Sequence, residues 1–278
     1  VASAQLSAQL SAQLSDLALI DWSRPWYDAV RPAFDALGLE DGEFAGAFNR
    51  QAALLALRNH RGLPLAFVPQ ESLPEGTAYE AFISATGNVP TRDNLHDFFN
   101  GLVWQTFPSI KRELNALQAA QIEASGGSKA RGPARDAATI FDENAALLVV
   151  RASSEGRELV DELRAHCWEA ALFEKRAMFG PDAELWLFGH ALMEKLVAPR
   201  KAITAHVRIV FAADEYFGLD AAARRAWLDA TVARTLRDEG LATAGFTPLP
   251  VLGVPGWWPD QDRAFYLDAS VFRPKRAA

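Results

Sequence analysis

The chain contains five histidines, and two of them sit where an imidazole could do chemistry. His96 and Asn100 lie four residues apart in PTRDNLHDFFNGLVWQTFP, so on a helix they share one face. Asp93 and Asp97 flank that face. An Asp–His–Asn grouping of this kind orients an imidazole as a general base or holds a divalent ion. The same residues also bridge backbone groups at a helix end without doing any chemistry. His190 and Glu194, in LWLFGHALMEKLVAP, have the i, i+4 spacing that puts two ligands within reach of one metal ion. Their host segment is strongly apolar, and without an HExxH motif the pair also describes a core histidine bonded to its own glutamate.

Asp142 and Glu143 are adjacent acids in IFDENAAL. Read as the start of a strand, they point to opposite sides, so at most one joins a given site. Asp142 is framed by Ile140, Phe141 and Leu147, a setting in which burial raises a carboxyl pKa as a general acid requires. Turn chemistry, with Asp136 as a cap, accounts for it equally. Arg92, Arg131 and Arg135 have the fork geometry to clamp a carboxylate or phosphate, or to neutralise Asp93, Asp136 and Asp142 internally. Trp257 and Trp258 offer a stacking platform for a planar or sugar ligand, or an anchor for a C-terminal strap. Lys111, Arg112, Lys129, Arg131 and Arg135 read as a solvated helix end and loop, and Cys167 as a buried inert thiol.

Two functions from different classes survive. One is a hydrolase-like enzyme acting on a small molecule, with His96, Asp97, Asn100 and Asp142 as catalytic candidates. Arg92, Arg135 and Trp257 would then bind ligand, and His190 and Glu194 would hold a divalent metal ion. The alternative is a non-catalytic ligand- or partner-binding protein whose polar cluster is structural. The chain has no GxGxxG fingerprint, GxxxxGK[ST] loop or GxSxG elbow, which argues against the usual nucleotide-binding and α/β-hydrolase sites.

These side chains need elements to hold them. Leu95, Phe98, Phe99, Leu102 and Val103 recur at helical spacing behind Thr91 or Asp93 as cap, which predicts the helix carrying His96. Pro108 begins a further helix, Ser109–Ala120, and ASGGSKARG then breaks the chain. Helices are also predicted over Tyr27–Leu37 with Gly38 as C-cap, Glu43–Arg58, Glu158–Met178, Ala183–Leu196 and Asp220–Glu239. Leu65–Val68, Glu80–Ser84, Ala145–Val150 and His206–Phe211 read as strands. The predicted architecture is a helix-rich α+β single domain with a small β-sheet and an irregular C-terminal strap rich in Pro, Gly and aromatics. Residues 1–20, with the repeat SAQLSAQLSAQL, form an N-terminal extension, and residues 21–278 the globular domain.

Composition excludes several classes. Half the residues are hydrophobic, enough for a sizeable core. A net charge of -7 and a pI near 5.3 disfavour general nucleic-acid binding, which needs a basic surface. A single cysteine rules out an internal disulfide and a thiolate cluster. There is no apolar run of roughly 18 residues and no leader pattern, so the expectation is a cytoplasmic monomer or small homo-oligomer without a membrane partner.

Taken in order, PTRDNLHDFFNGLVWQTFP, FDENAAL, FGHALMEKL and PVLGVPGWWP resemble the bacterial family called domain of unknown function 3025. The matching motifs extend from about Leu65 to Pro274. The resemblance implies an intact bacterial domain and a cytoplasmic home. It transfers no activity and no catalytic residue.

Overall fold

The computed structural model describes residues 17–39, 44–124 and 133–275, so the N-terminal leucine repeat, Lys129 and Arg131 lie outside the described residues. Pro25–Tyr27 forms a short 3-10 turn, followed by α1 (Arg31–Leu37), which ends at Gly38 in the left-handed conformation. Helix α2 (Phe44–Leu54) leads to strand β1 (Ala66–Pro69), which pairs in parallel with β2 (Asn88–Thr91). Between them lies α3 (Tyr79–Thr86), where the sequence reads as a strand. Its apolar residues fit either period over so short a run, and the helix is closed by Gly87 at φ 78°.

Helix α4 (Leu95–Thr106) is buried on nearly every side and is the hub of the core. Asn94 caps it, accepting from Asp97 N at 2.8 Å, where the sequence offers Thr91 or Asp93. Gly101 lets the Phe48 ring of α2 lie directly on α4, where a Cβ would come within 2.5 Å of it. Helix α5 (Pro108–Ala124) follows, its first turn tied by Ser109 N and Ile110 N to the Asp229 carboxylate at 3.0 and 2.9 Å. Helix α6 (Pro133–Asn144) then runs without a break into β3 (Ala145–Arg151).

The larger sheet has the order β4-β3-β5-β6, with β4 (Ala183–Leu187), β5 (Thr204–Ala212) and β6 (Thr247–Pro250). Strand β3 pairs antiparallel with β4 and parallel with β5, and Ala145–Val150 is buried throughout, as a continuous apolar run in a central strand should be. Helix α7 (Ser154–Ala165) is shorter than its predicted span. The chain passes from it into a π-turn at Glu169–Glu174. Cys167 sits in that break and is exposed, not buried, because the helix presumed to enclose it has already ended. The helix predicted over Ala183–Leu196 divides into β4 and the short α8 (His190–Lys195). Helix α9 (Ala221–Glu239) packs along α5. The C-terminal strap is largely irregular, with Phe265, Tyr266 and Phe272 set into the core.

Candidate functional site

Three elements meet at the two histidines. His96 comes from the first turn of α4, Asp142 and Glu143 from the last turn of α6, and His190 from the first position of α8. Gly189 makes the meeting possible. A Cβ there would stand 2.6 Å from the backbone of Glu143, Asn144 and Ala145, so only glycine lets the β4–α8 turn lie against the end of α6. Gly189 N also donates to Ala145 O at 2.8 Å. From the other side, the Tyr27 hydroxyl donates to Met193 O at 3.1 Å and holds α8 in place.

The two imidazoles face each other edge to plane, with Nε2 atoms 3.1 Å apart. Glu143 Oε2 lies 3.5 Å from His190 Nε2 and 3.9 Å from His96 Nε2, and the three atoms form a compact triangle. His96 Nδ1 meets Glu194 Oε2 at 3.0 Å. Glu194 therefore supports His96 from behind, whereas the sequence pairs it with His190 as a metal ligand. Because His190 stands at the start of α8, its ring leans across to α4 rather than along its own helix. His190 is buried, its Nδ1 has no hydrogen-bond partner, and burial lowers its pKa to about 4, so the ring is neutral at neutral pH.

Beneath the triangle lies a buried ion pair that the sequence does not announce. Lys111 Nζ donates to Asp142 Oδ1 at 2.6 Å and to Asn100 Oδ1 at 2.9 Å, and its side chain is 4 % exposed. The expectation of a solvated lysine is thus corrected. The signal is its place beside Ile110, Leu114 and Gln118 on the buried face of α5. Burial alone would push the Asp142 carboxyl up, but the Lys111 ammonium and His190 together outweigh it and hold the carboxyl below its ordinary range. This reverses the direction expected for a general acid. Asp142 and Glu143 sit on a helix rather than a strand, so both reach the same site.

A cavity of about 350 Å³ opens beside the cluster. His96, Asp97, Asn100, Asp142, His190, Arg92 and Arg135 all line it. Asp97 is occupied by Arg92, accepting from its Nε at 2.9 Å, its Nη2 at 3.1 Å and its backbone N at 2.7 Å. Asn100 bridges the Tyr79 hydroxyl, at 3.2 Å, to Lys111. Tyr79 and Glu80, missed because their segment reads as a strand, form another wall. Burial pushes the Tyr79 phenol well above its ordinary range, with the Glu80, Asp97 and Asp142 charges adding to the effect. Burial also pushes the Glu80 carboxyl up, against the opposing pull of Lys111.

Trp257 does not join this site. It packs against Trp26, with ring centroids 6.2 Å apart, beside a separate cavity shared with Trp186. Within the strap that carries it, the Gln261 amide donates to Leu252 O and Val254 O and so closes the turn around Trp257.

Comparison with known proteins returns one match. A family model described as "Protein of unknown function (DUF3025)" covers residues 65–276, which include every residue of the cluster and its cavity. No curated protein and no solved structure matches the chain. Among the described residues, no helix is long and apolar enough to cross a membrane.

Proposed function

We propose that this chain, which belongs to the DUF3025 family of proteins of unknown function, is a metal-dependent hydrolase acting on a small molecule. The observation that carries this reading is the convergence of His96 Nε2, His190 Nε2 and Glu143 Oε2 beside a cavity. Ligand atoms on a tetrahedral zinc ion, with bonds of about 2.0–2.1 Å, stand about 3.3 Å apart. The separations of 3.1, 3.5 and 3.9 Å bracket that edge. Two imidazoles and one carboxylate leave a coordination position for water, the mark of catalytic rather than closed structural sites. A bound divalent ion supplies a Lewis acid and brings the pKa of water down to about 7.

The chain's own residues prepare that chemistry. Glu194 accepts the proton on His96 Nδ1 and so leaves the Nε2 lone pair facing the centre, a common support for a ligating histidine. Burial keeps His190 neutral, the form that ligates. Tyr79 retains its proton and offers it to negative charge developing in the cavity. Glu80, with its carboxyl pushed up, is suited to proton transfer.

The test is calorimetric zinc titration of chelator-treated protein, run with His96→Ala, His190→Ala and Glu143→Ala and paired with a panel of ester and amide substrates. About one zinc should bind, each variant should lose at least tenfold in affinity, and hydrolysis should follow zinc content. A parent protein that does not bind zinc, or variants that bind as the parent does, would overturn the reading. If the cluster only braces the fold, the alanine variants lose about 1–3 kcal/mol of stability and zinc adds none back.

A further inference from the structure

Resting on that metal-site reading, we infer that Arg135 recognises a terminal carboxylate of the substrate, so that the enzyme acts on elongated monoanionic molecules. The argument begins with the face of α6 that lines the cavity. Arg135, Thr139, Asp142 and Glu143 follow one another at helical spacing and all border the same space. Glu143 stands at the metal end and Arg135 eight positions earlier, so their backbones are about 12 Å apart along the helix axis. The cavity is thus bounded by a metal-binding triangle at one end and a guanidinium two turns away. Leu73 and Ile122 supply apolar wall.

Arg135 is also set apart from the other cations near the site. The guanidinium of Arg92 is committed to Asp97 through two hydrogen bonds, and Lys111 is committed to Asp142 and Asn100. Among the described residues, no salt bridge or side-chain hydrogen bond engages the Arg135 guanidinium; its influence is a through-space pull on Glu80. A half-buried arginine bordering a cavity has a fork of donors that matches a carboxylate.

Charge selects the carboxylate over a phosphate. Glu80, Asp97, Asp142 and Glu143 already border the cavity, and among the described residues Arg135 is the lining cation with no salt bridge to any of them. One uncompensated positive charge suits a monoanion, whereas a dianion would meet repulsion from the remaining acids. A cavity of about 350 Å³ holds a small molecule whose scissile bond reaches the metal while its carboxylate reaches Arg135.

The experiment uses the full chain loaded with zinc and a series of alkyl hydroxamates that anchor on the metal. Each carries a terminal carboxylate, its methyl ester or a phosphonate, on chains of increasing length. At one length the carboxylate should bind at least about tenfold tighter than the ester. Arg135→Gln should remove that gain while leaving the ester's affinity and the zinc affinity unchanged, and Arg135→Lys should restore part of it. Hydroxamates that bind with no preference for the carboxylate at any length would overturn the inference and leave the metal site standing. A phosphonate that binds tighter than the carboxylate would overturn the choice of a monoanion. Failure of all hydroxamates together with failure to retain zinc would remove the metal reading, and this inference with it.

Discussion

Replacing Lys111 with methionine keeps the apolar stem of the side chain but removes the ammonium buried between Asp142 and Asn100. The two contacts are 2.6 and 2.9 Å long, and the lysine and aspartate side chains are 4 % and 12 % exposed. Asp142 would be left as a carboxylate in a setting where burial opposes its charge, and Asn100 Oδ1 would lose a donor. Breaking a buried pair from one side costs about 3–5 kcal/mol. Unfolding entropy of roughly 2.1 cal/mol/K per residue gives about 0.6 kcal/mol/K for 278 residues, so Tm should fall by about 5–9 °C. The comparison that isolates the charge is Lys111→Met with Asp142→Leu. Removing both charges in favour of apolar groups should return most of the lost stability, since such replacements are often neutral or better. Urea unfolding followed by circular dichroism, with calorimetry for Tm, measures both variants. A single variant within about 1 kcal/mol of the parent, or a double variant no more stable than the single one, would refute the reasoning.

Gly189→Ala should cost at least about 1–3 kcal/mol and lower zinc affinity, because the added methyl meets backbone of α6 at 2.6 Å and pushes His190 away from Glu143; unfolding and titration on the same sample check both effects. Glu194→Ala should leave the fold intact, since Glu194 is partly exposed, yet weaken zinc binding by about 10–100-fold through loss of the acceptor for His96 Nδ1. Asp229→Ala should destabilise by about 1–2 kcal/mol, because it frees two backbone N–H groups at the start of α5, and chemical unfolding reads that loss. Burial lowers the pKa of His206 below 6.5, so the folded state resists protonation; stability is intact above 6.5 and falls as pH drops through the lowered value. Tm measured from pH 8 to pH 5 should show that decline, with a shallower slope in His206→Asn.

Periodicity alone determined much of this protein. The helix of His96 follows from Leu95, Phe98, Phe99, Leu102 and Val103, and the buried central strand from the unbroken apolar run Ala145–Val150. The pairing of His96 with His190 in one interior was also legible, since both stand among bulky apolar residues that must turn inward. Local pattern failed where a segment was too short to fix its own period. Tyr79–Thr86 became a helix through its position between two parallel strands, and Ala183–Leu187 became a strand because β3 offered an edge to pair with. That second change placed His190 at a helix start and sent Glu194 to His96 rather than to its own neighbour. Lys111 and Asp142 are the clearest case of tertiary decision. A lysine is ordinarily solvated and a buried acid ordinarily raised in pKa, but the two lie thirty-one residues apart in sequence and meet only when α5 and α6 pack. Their contact reverses both expectations, because the energy of a buried charge depends on what stands opposite it, and sequence spacing does not record that.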